Sequence, residues 1–236
     1  FALDFCEAGG EITERFWVPL GTKDFGSIIA ALPDDVDAIY LGLGGGDAVN
    51  FLNQYQQAGG DANLIGGTIM VDGTVLNSKG DAKNALIGTP SSGPQADTLD
   101  TPEWKAYVKL YQDTFAPEDR FPAPSLLSTL YYSNMAATLT CLNEVNGDLS
   151  DGQAAFRSCL TNLELDSPVG TITLDENRQA IAPTFISEVV ENADGNLVNQ
   201  LISTNPAVNQ TLGIDKAKFA ALGVPSRDNP PCQKTY

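Results

Sequence analysis

With 236 residues, 42% of them hydrophobic and 18% charged, the chain has ordinary globular composition and enough apolar material for one large domain or two small ones. Thirty acidic against 13 basic residues leave a formal charge of -17, which repels nucleic-acid phosphates and anionic lipid and so argues against both as partners. The absence of histidine removes the commonest general base and metal ligand, and with them nucleophile systems of the Ser-His-Asp and Cys-His kinds. No apolar run approaches the roughly 18 residues of a membrane span. Composition therefore points to neither a metal nor an organic cofactor.

Taken in chain order, Phe1 to Gly10 reads as the last turns of a helix ending at glycine, so further residues, including any signal peptide, are expected upstream. Glu11 to Val18, with Ile12, Phe16, Trp17 and Val18, reads as a strand ending at Pro19. Thr22 is placed to cap a helix carrying Phe25, Ile28, Ile29 and Leu32 on one face and stopped by Pro33. The stretch from Asp37 to Gly59 then reads as a strand, a glycine turn and an amphipathic helix. Asp47 stands in the N-cap position, and Ala48, Phe51, Leu52 and Tyr55 recur at i, i+3, i+4 and i+7. Asn63 to Gly67 and Ala85 to Gly88 are two further short strands. This alternation of strand and helix predicts an α/β fold with a parallel sheet flanked by helices.

Residues 89–101 read as a loop, after which Thr101 caps and Pro102 opens a helix with Trp104, Val108, Tyr111 and Phe115 along one stripe. The proline cluster from Pro117 to Pro124 is the best candidate for a hinge. A long helix follows from about Leu126 to Val145, and Ser150-Asp151-Gly152-Gln153 has the pattern of a capping box opening another, giving an αα-hairpin. Thr171 to Leu174 is a strand; Phe185 to Val190 and Leu197 to Ile202 form a hairpin about the Asn192 to Gly195 turn. The tail from Pro206 is irregular apart from a short helix near Lys216 to Leu222.

The four cysteines contain no CxxC pair, so neither a zinc knuckle nor a thioredoxin-like motif is present. Their even number favours disulfides and an oxidising compartment, with four buried thiols as the alternative. Cys141 and Cys159 fall on the two helices of the hairpin, where antiparallel neighbours come within disulfide range. Cys6 and Cys232 pair either with each other or with sequence outside the chain. The glycine turn Gly42-Leu43-Gly44-Gly45-Gly46-Asp47 has the look of a dinucleotide cradle, but Asp47 occupies the third glycine position, and a carboxylate there takes the place a phosphate needs. A dinucleotide-dependent enzyme is accordingly disfavoured. Acidic pairs such as Asp34-Asp35 and Glu188-Glu191 read as solvated surface, while Tyr131 and Tyr132 are open to either a core or a ligand-stacking role.

The order of these segments resembles the solute-binding proteins of ABC transporters of the branched-chain (Leu/Ile/Val) amino acid type, which have the type I periplasmic binding fold. The matching pieces are Phe5-Cys6-Glu7-Ala8-Gly9-Gly10, Pro19-Leu20-Gly21-Thr22-Lys23-Asp24-Phe25, Asp37-Ala38-Ile39-Tyr40 with its glycine turn and Phe51-Leu52-Asn53-Gln54, then Tyr132 to Ala137, and Ser167-Pro168-Val169-Gly170 with Asp175 to Ala180. The resemblance implies two α/β lobes closing on a ligand about a hinge, with most of the first lobe missing from this chain. Residues 1–122 are then the second lobe, 123–180 an αα-hairpin and strand belonging to the first, and 181–236 a return to the second lobe plus the tail.

Carried over by motif, the ligand contacts are expected from Gly44, Gly45, Gly46 and Asp47, from Thr68 and Asp72 after the next strand, and from Ser125, Leu127 and Tyr131 across the hinge. Branched-chain amino acid binders tend to place an acidic residue where Thr68 stands; Asp72 is the candidate to replace it, or the ligand is not an α-amino acid. The resemblance further implies a non-enzymatic, monomeric, periplasmic or secreted protein that hands an amino acid, amide or small carboxylate to a membrane permease. A sensor module of the same fold is the alternative.

Overall fold

In the computed structural model, which describes residues 1–232, nine α-helices and seven strands alternate along the chain. A short helix α1 (Ala2–Glu7) and the single turn α2 (Gly26–Ile29) lead into β1 (Ala38–Leu41) and α3 (Gly45–Gln57). Strand β2 (Asn63–Gly66) runs into a 3-10 turn, Thr68–Val71, and then α4 (Gly73–Leu76) and α5 (Gly80–Leu86). Next come β3 (Pro90–Gly93), α6 (Pro102–Thr114), the long α7 (Leu126–Glu144) and α8 (Ala154–Asn162). The chain finishes with β4 (Leu165–Ser167), β5 (Gly170–Leu174), β6 (Ala180–Glu191), β7 (Leu197–Val208) and α9 (Lys216–Ala221).

The sheet is mixed. Strands β1, β2 and β3 are parallel neighbours, and the later half of β6 joins β3 antiparallel, with Ser91 opposite Ser187. Strand β7 lies antiparallel along the other edge of β6. The first residues of β6 instead pair with β5, which pairs with β4, so β6 connects the α/β sheet to a small antiparallel meander. The expected parallel sheet flanked by helices holds for β1–β3, where helices cross over between strands, and the closing strands return by hairpin and pair antiparallel.

Helix α3 behaves as its spacing dictates. Ala48, Phe51, Leu52 and Tyr55 are all buried, packed with Phe25, Met70, Val75, Leu86 and Val189 into the main core. Each fully buried side chain of this size is worth about 1.5–3 kcal/mol relative to its exposed state. A second cluster gathers Trp104, Tyr107, Val169 and Phe185, joining α6 to the start of the meander. Thr101 caps α6 by accepting from the Trp104 amide, as the sequence predicts. Both disulfides close, Cys6–Cys232 and Cys141–Cys159, with Cα separations of 5.5 and 5.7 Å.

Several local expectations are corrected. Glu11 to Val18 forms no strand; the Ile12 amide bonds to the Cys232 carbonyl rather than into a ladder, and Trp17 is exposed. Thr22 does not cap α2: its hydroxyl donates to the Pro19 carbonyl, and Phe25 occupies the N-cap position. Ala85 and Leu86 are the end of α5, not a strand, while the presumed loop contains β3, whose polar Pro-Ser-Ser-Gly sequence lies between β2 and β6. The capping box before α8 fails because Gln153 is the N-cap, in a left-handed conformation with φ 67°. The Asp151 carboxylate instead accepts from the Ala154 and Ala155 amides.

Candidate functional site

The three parallel strands end at one edge of the sheet, and the segments leaving them lie against one another. After β1, Gly44 is the extended N-cap of α3 and Gly45 turns through φ 55°, a left-handed value that favours glycine. A Cβ on Gly44 would stand 2.6 Å from Ile69 Cγ1, so this turn touches the segment after β2. There the Gly67 amide donates to the Leu41 carbonyl (2.9 Å) and the Thr68 hydroxyl to the Ser92 carbonyl (2.7 Å), while Gly93 approaches Thr68 too closely for a side chain to fit freely. A Cβ added to Gly42, Gly45 or Gly46 would meet nothing within 4 Å, and Ile69 is half exposed. The result is one wall, glycine at its rim, at the carboxyl ends of strands where open α/β sheets bind ligands.

Each of the three exit segments carries one aspartate. Asp47 is not the N-cap of α3 as expected, since Gly44 holds that position; it lies in the helix's first turn and accepts from the Gly21 amide at 2.8 Å. Buried Asp72 accepts from the Leu126 amide at 3.0 Å, tying the segment after β2 to the first turn of α7. Asp97 accepts from the Asn199 amide of β7 at 2.8 Å and, more weakly, from the Gln95 side-chain amide at 3.4 Å. Burial pushes the Asp97 carboxyl up to about 6, assisted by the nearby charge of Asp72 and only partly opposed by these two donors.

Behind Thr68 a pocket reaches past Asp72 to Gln95, Asp97 and Asn199. Gln95 donates its Nε2 to the Pro124 carbonyl (2.8 Å) and Asn199 its Nδ2 to the Val71 carbonyl (2.9 Å), which fixes both amides. Their oxygens have no protein partner and are sealed from solvent.

Of the residues expected to bind ligand, the structure brings Gly44, Gly45, Gly46 and Thr68 to this wall, with Asp47 one helical step behind it. Ser125 is the buried N-cap of α7, its hydroxyl accepting from the Ser128 amide, and it joins the wall through the neighbouring Asp72–Leu126 bond. Leu127 and Tyr131 stand further along on the exposed face of α7, Tyr131 at 74% exposure. Ile69, Gly93, Gln95, Asp97 and Asn199 were not anticipated. Gly93 ends a strand too polar to be recognised, Gln95 and Asp97 follow it, and Asn199 reaches the site only through the β6–β7 pairing.

A parallel α/β sheet whose strand-end turns form one wall, continued by antiparallel strands into a second small sheet, is a large part of the type I periplasmic binding fold. A family model described as periplasmic binding protein matches residues 4–196, and the chain belongs to that family. The chain is 26% identical over 211 residues to Leu/Ile/Val-binding protein homolog 6 of Brucella melitensis biotype 1, a match covering 86% of this chain and 52% of that protein. Among solved structures, an ABC transporter substrate-binding protein from Sphaerobacter thermophilus superposes with a TM-score of 0.77 at 25% identity, over 87% of this chain and 55% of that one. A solute-binding protein from Rhodopseudomonas palustris BisB5, solved in complex with 3,4-dihydroxy benzoic acid, gives 0.75 at 25%, over 91% and 56%. Leucine-binding protein LivK from Thermotoga maritima, 20% identical with a TM-score of 0.69 over 87% and 55%, shares the fold. The chain thus spans about half the length of the relatives it matches.

Proposed function

We propose that this chain is the greater part of one lobe, with a portion of the other, of an extracytoplasmic solute-binding component of an ABC importer. It would be a non-enzymatic, monomeric protein that takes a small amino acid, amide or carboxylate between two lobes and delivers it to a membrane permease. The observation carrying this reading is the wall formed by the turns after β1, β2 and β3, tied by Asp72 to the first turn of α7. Residues 1–122 belong to the second lobe, 123–180 to the first, and 181–236 return to the second, with the proline-rich segment before Ser125 and strands β6 and β7 as the crossings.

The surface of α7 supports this division. The helix buries Thr129, Ser133 and Cys141 and exposes Leu127, Leu130, Tyr131, Met135 and Leu139, the reverse of what a helix at the edge of a finished domain does. With relatives about twice as long, the remainder of the first lobe is the natural cover for that face. The ligand contacts assigned to Gly44, Gly45, Gly46 and Thr68 come from one side of the cleft, and those of Leu127 and Tyr131 from the other. The test is a thermal-shift screen of the full-length protein against amino acids, amides and aromatic acids. A true solute at one hundred times its Kd stabilises by about 2.7 kcal/mol and raises Tm measurably, whereas a flat response across the panel contradicts the reading.

A further inference from the structure

The segment that leaves α6 for α7 is held down along its length. The Arg120 guanidinium donates to the Phe115 carbonyl at 2.6 Å and also to that of Gln112, and the Phe121 amide donates to the Tyr111 hydroxyl at 3.0 Å. The Gln112 side-chain amide donates to the Pro122 carbonyl at 3.2 Å, and Gln95 to the carbonyl of Pro124, itself fully buried, at 2.8 Å. The Phe121 ring lies so close over Gly73 that a Cβ there would stand 2.8 Å from it. The proline cluster expected to be the hinge is thus fastened to α6 and to the turns after β2 and β3. Asp72 stands where this fastening ends. It occupies the N-cap position of α4, with φ -77° and ψ 162°, where an aspartate ordinarily bonds amides of its own helix. It makes no such bond. Its Oδ1 accepts instead from the amide of Leu126, the first residue of α7, at 3.0 Å. That amide is one of the four at a helix start with no partner inside the helix, and the Ser125 hydroxyl accepts from another, that of Ser128. The start of α7 is therefore capped twice, by its own neighbour and by a carboxylate 54 positions away in the chain, whose charge also complements the helix dipole.

We infer that Asp72 is a positioning residue for solute capture, a cap that the second lobe supplies to α7 of the first, latching its first turn against the wall of strand-end turns. The pivot of this crossing then lies between Pro124 and α7 rather than among the prolines. The inference rests on the proposed two-lobe reading. Leu127 and Tyr131, the contacts proposed from the first lobe, belong to the latched turn and the one after it. A first turn that frays in the free protein must be ordered again when solute binds, so affinity falls in proportion to the time the turn is formed. Asp72 acts in this through the Leu126 amide, and an oxygen acceptor without the charge does the same.

The experiment pairs amide exchange of the solute-free full-length protein with calorimetric titration. The probes are L-leucine, L-phenylalanine, benzoate and 4-hydroxybenzoate, with any other member of the thermal-shift panel that raises Tm. Asp72→Ala is expected to speed exchange of the Ser128 and Thr129 amides about fivefold and to weaken the bound probe by the same factor, while exchange in α3 stays at the parent rate. Asp72→Asn keeps an oxygen for the Leu126 amide and is expected to leave both within about twofold of the parent. Leu126→Pro removes the donor, keeps the Asp72 charge and sets proline at the first helical position, where it is tolerated; it is expected to weaken binding as Asp72→Ala does. Where Asp72→Ala speeds exchange in α3 too and so disturbs the whole fold, Leu126→Pro against Asp72→Asn decides the same question. Asp72→Asn weakening the probe as far as Asp72→Ala, with Ser128 and Thr129 exchanging as in the parent, shows the charge itself touching the solute. That result overturns the inference and leaves the solute-binding reading intact, as does an Asp72→Ala variant unchanged in both readouts. Absence of binding by every probe, together with a flat thermal-shift panel, overturns that reading and the inference with it.

Discussion

The environment of α3 and that of α7 are built on opposite terms. Helix α3 turns its apolar stripe inward, and Phe51 and Leu52 disappear between the sheet, α5 and Phe25. Helix α7 is longer and more apolar, yet the residues it buries are Thr129, Ser133 and Cys141, and the Cys141–Cys159 disulfide fastens it to α8. The difference separates a region with its own core from one that leaves an apolar face exposed, the face that on the proposed reading the rest of the first lobe covers. The wall of strand-end turns lies where the two meet, since Asp72 of the first region receives the Leu126 amide of the second.

Two substitutions sharpen that contrast. In the full-length protein Trp104→Ala removes one of the largest fully buried side chains and is expected to cost about 4 kcal/mol in denaturant unfolding. Leu139→Ala, on the exposed face of α7, is expected to cost about 2–3 kcal/mol if the rest of the first lobe packs there. A value within about 0.5 kcal/mol breaks the comparison by showing that the face stays bare.

A smaller effect concerns Asp97. Its folded-state pKa of about 6 lies above its unfolded value of 3.8, so between these pH values the folded protein holds the proton more firmly. The penalty for the buried charge is complete above about pH 6 and vanishes as pH falls below about 4. The linkage is worth at most about 3 kcal/mol. Asp97→Asn keeps an acceptor for the Asn199 amide, and the stability difference between this variant and the parent is expected to favour the variant above pH 6 and to shrink toward pH 4. A pH-independent difference would show that Asp97 is not desolvated at this junction.

What the sequence made legible follows periodicity and local chemistry. The β1–turn–α3 unit, the Thr101 cap, the extent of α7 and the β6–β7 hairpin all carry signals within one element. Strand β3 carries none, because Pro90, Ser91, Ser92 and Gly93 are strand residues only through their neighbours β2 and β6. Glu11 to Val18 fails the other way: its apolar residues suggest a strand, but the ladder that would make one is absent there. At the site, the glycines announced themselves as a turn. The function of the aspartates did not, because the donors that occupy Asp47, Asp72 and Asp97 lie 26, 54 and 102 positions away in the chain. Asp72, expected at the ligand, accepts from the Leu126 amide of α7 through one carboxylate oxygen.

The central claim, that the turns after β1 and β2 face a captured solute, is tested most directly by amide hydrogen exchange on the full-length protein with and without whichever acid or amino acid raises its Tm. The account predicts slowed exchange at residues 42–47 and 67–72 and in the first turn of α7, all on the same ligand-concentration dependence. Unchanged exchange at these three places while the solute is bound elsewhere would contradict it.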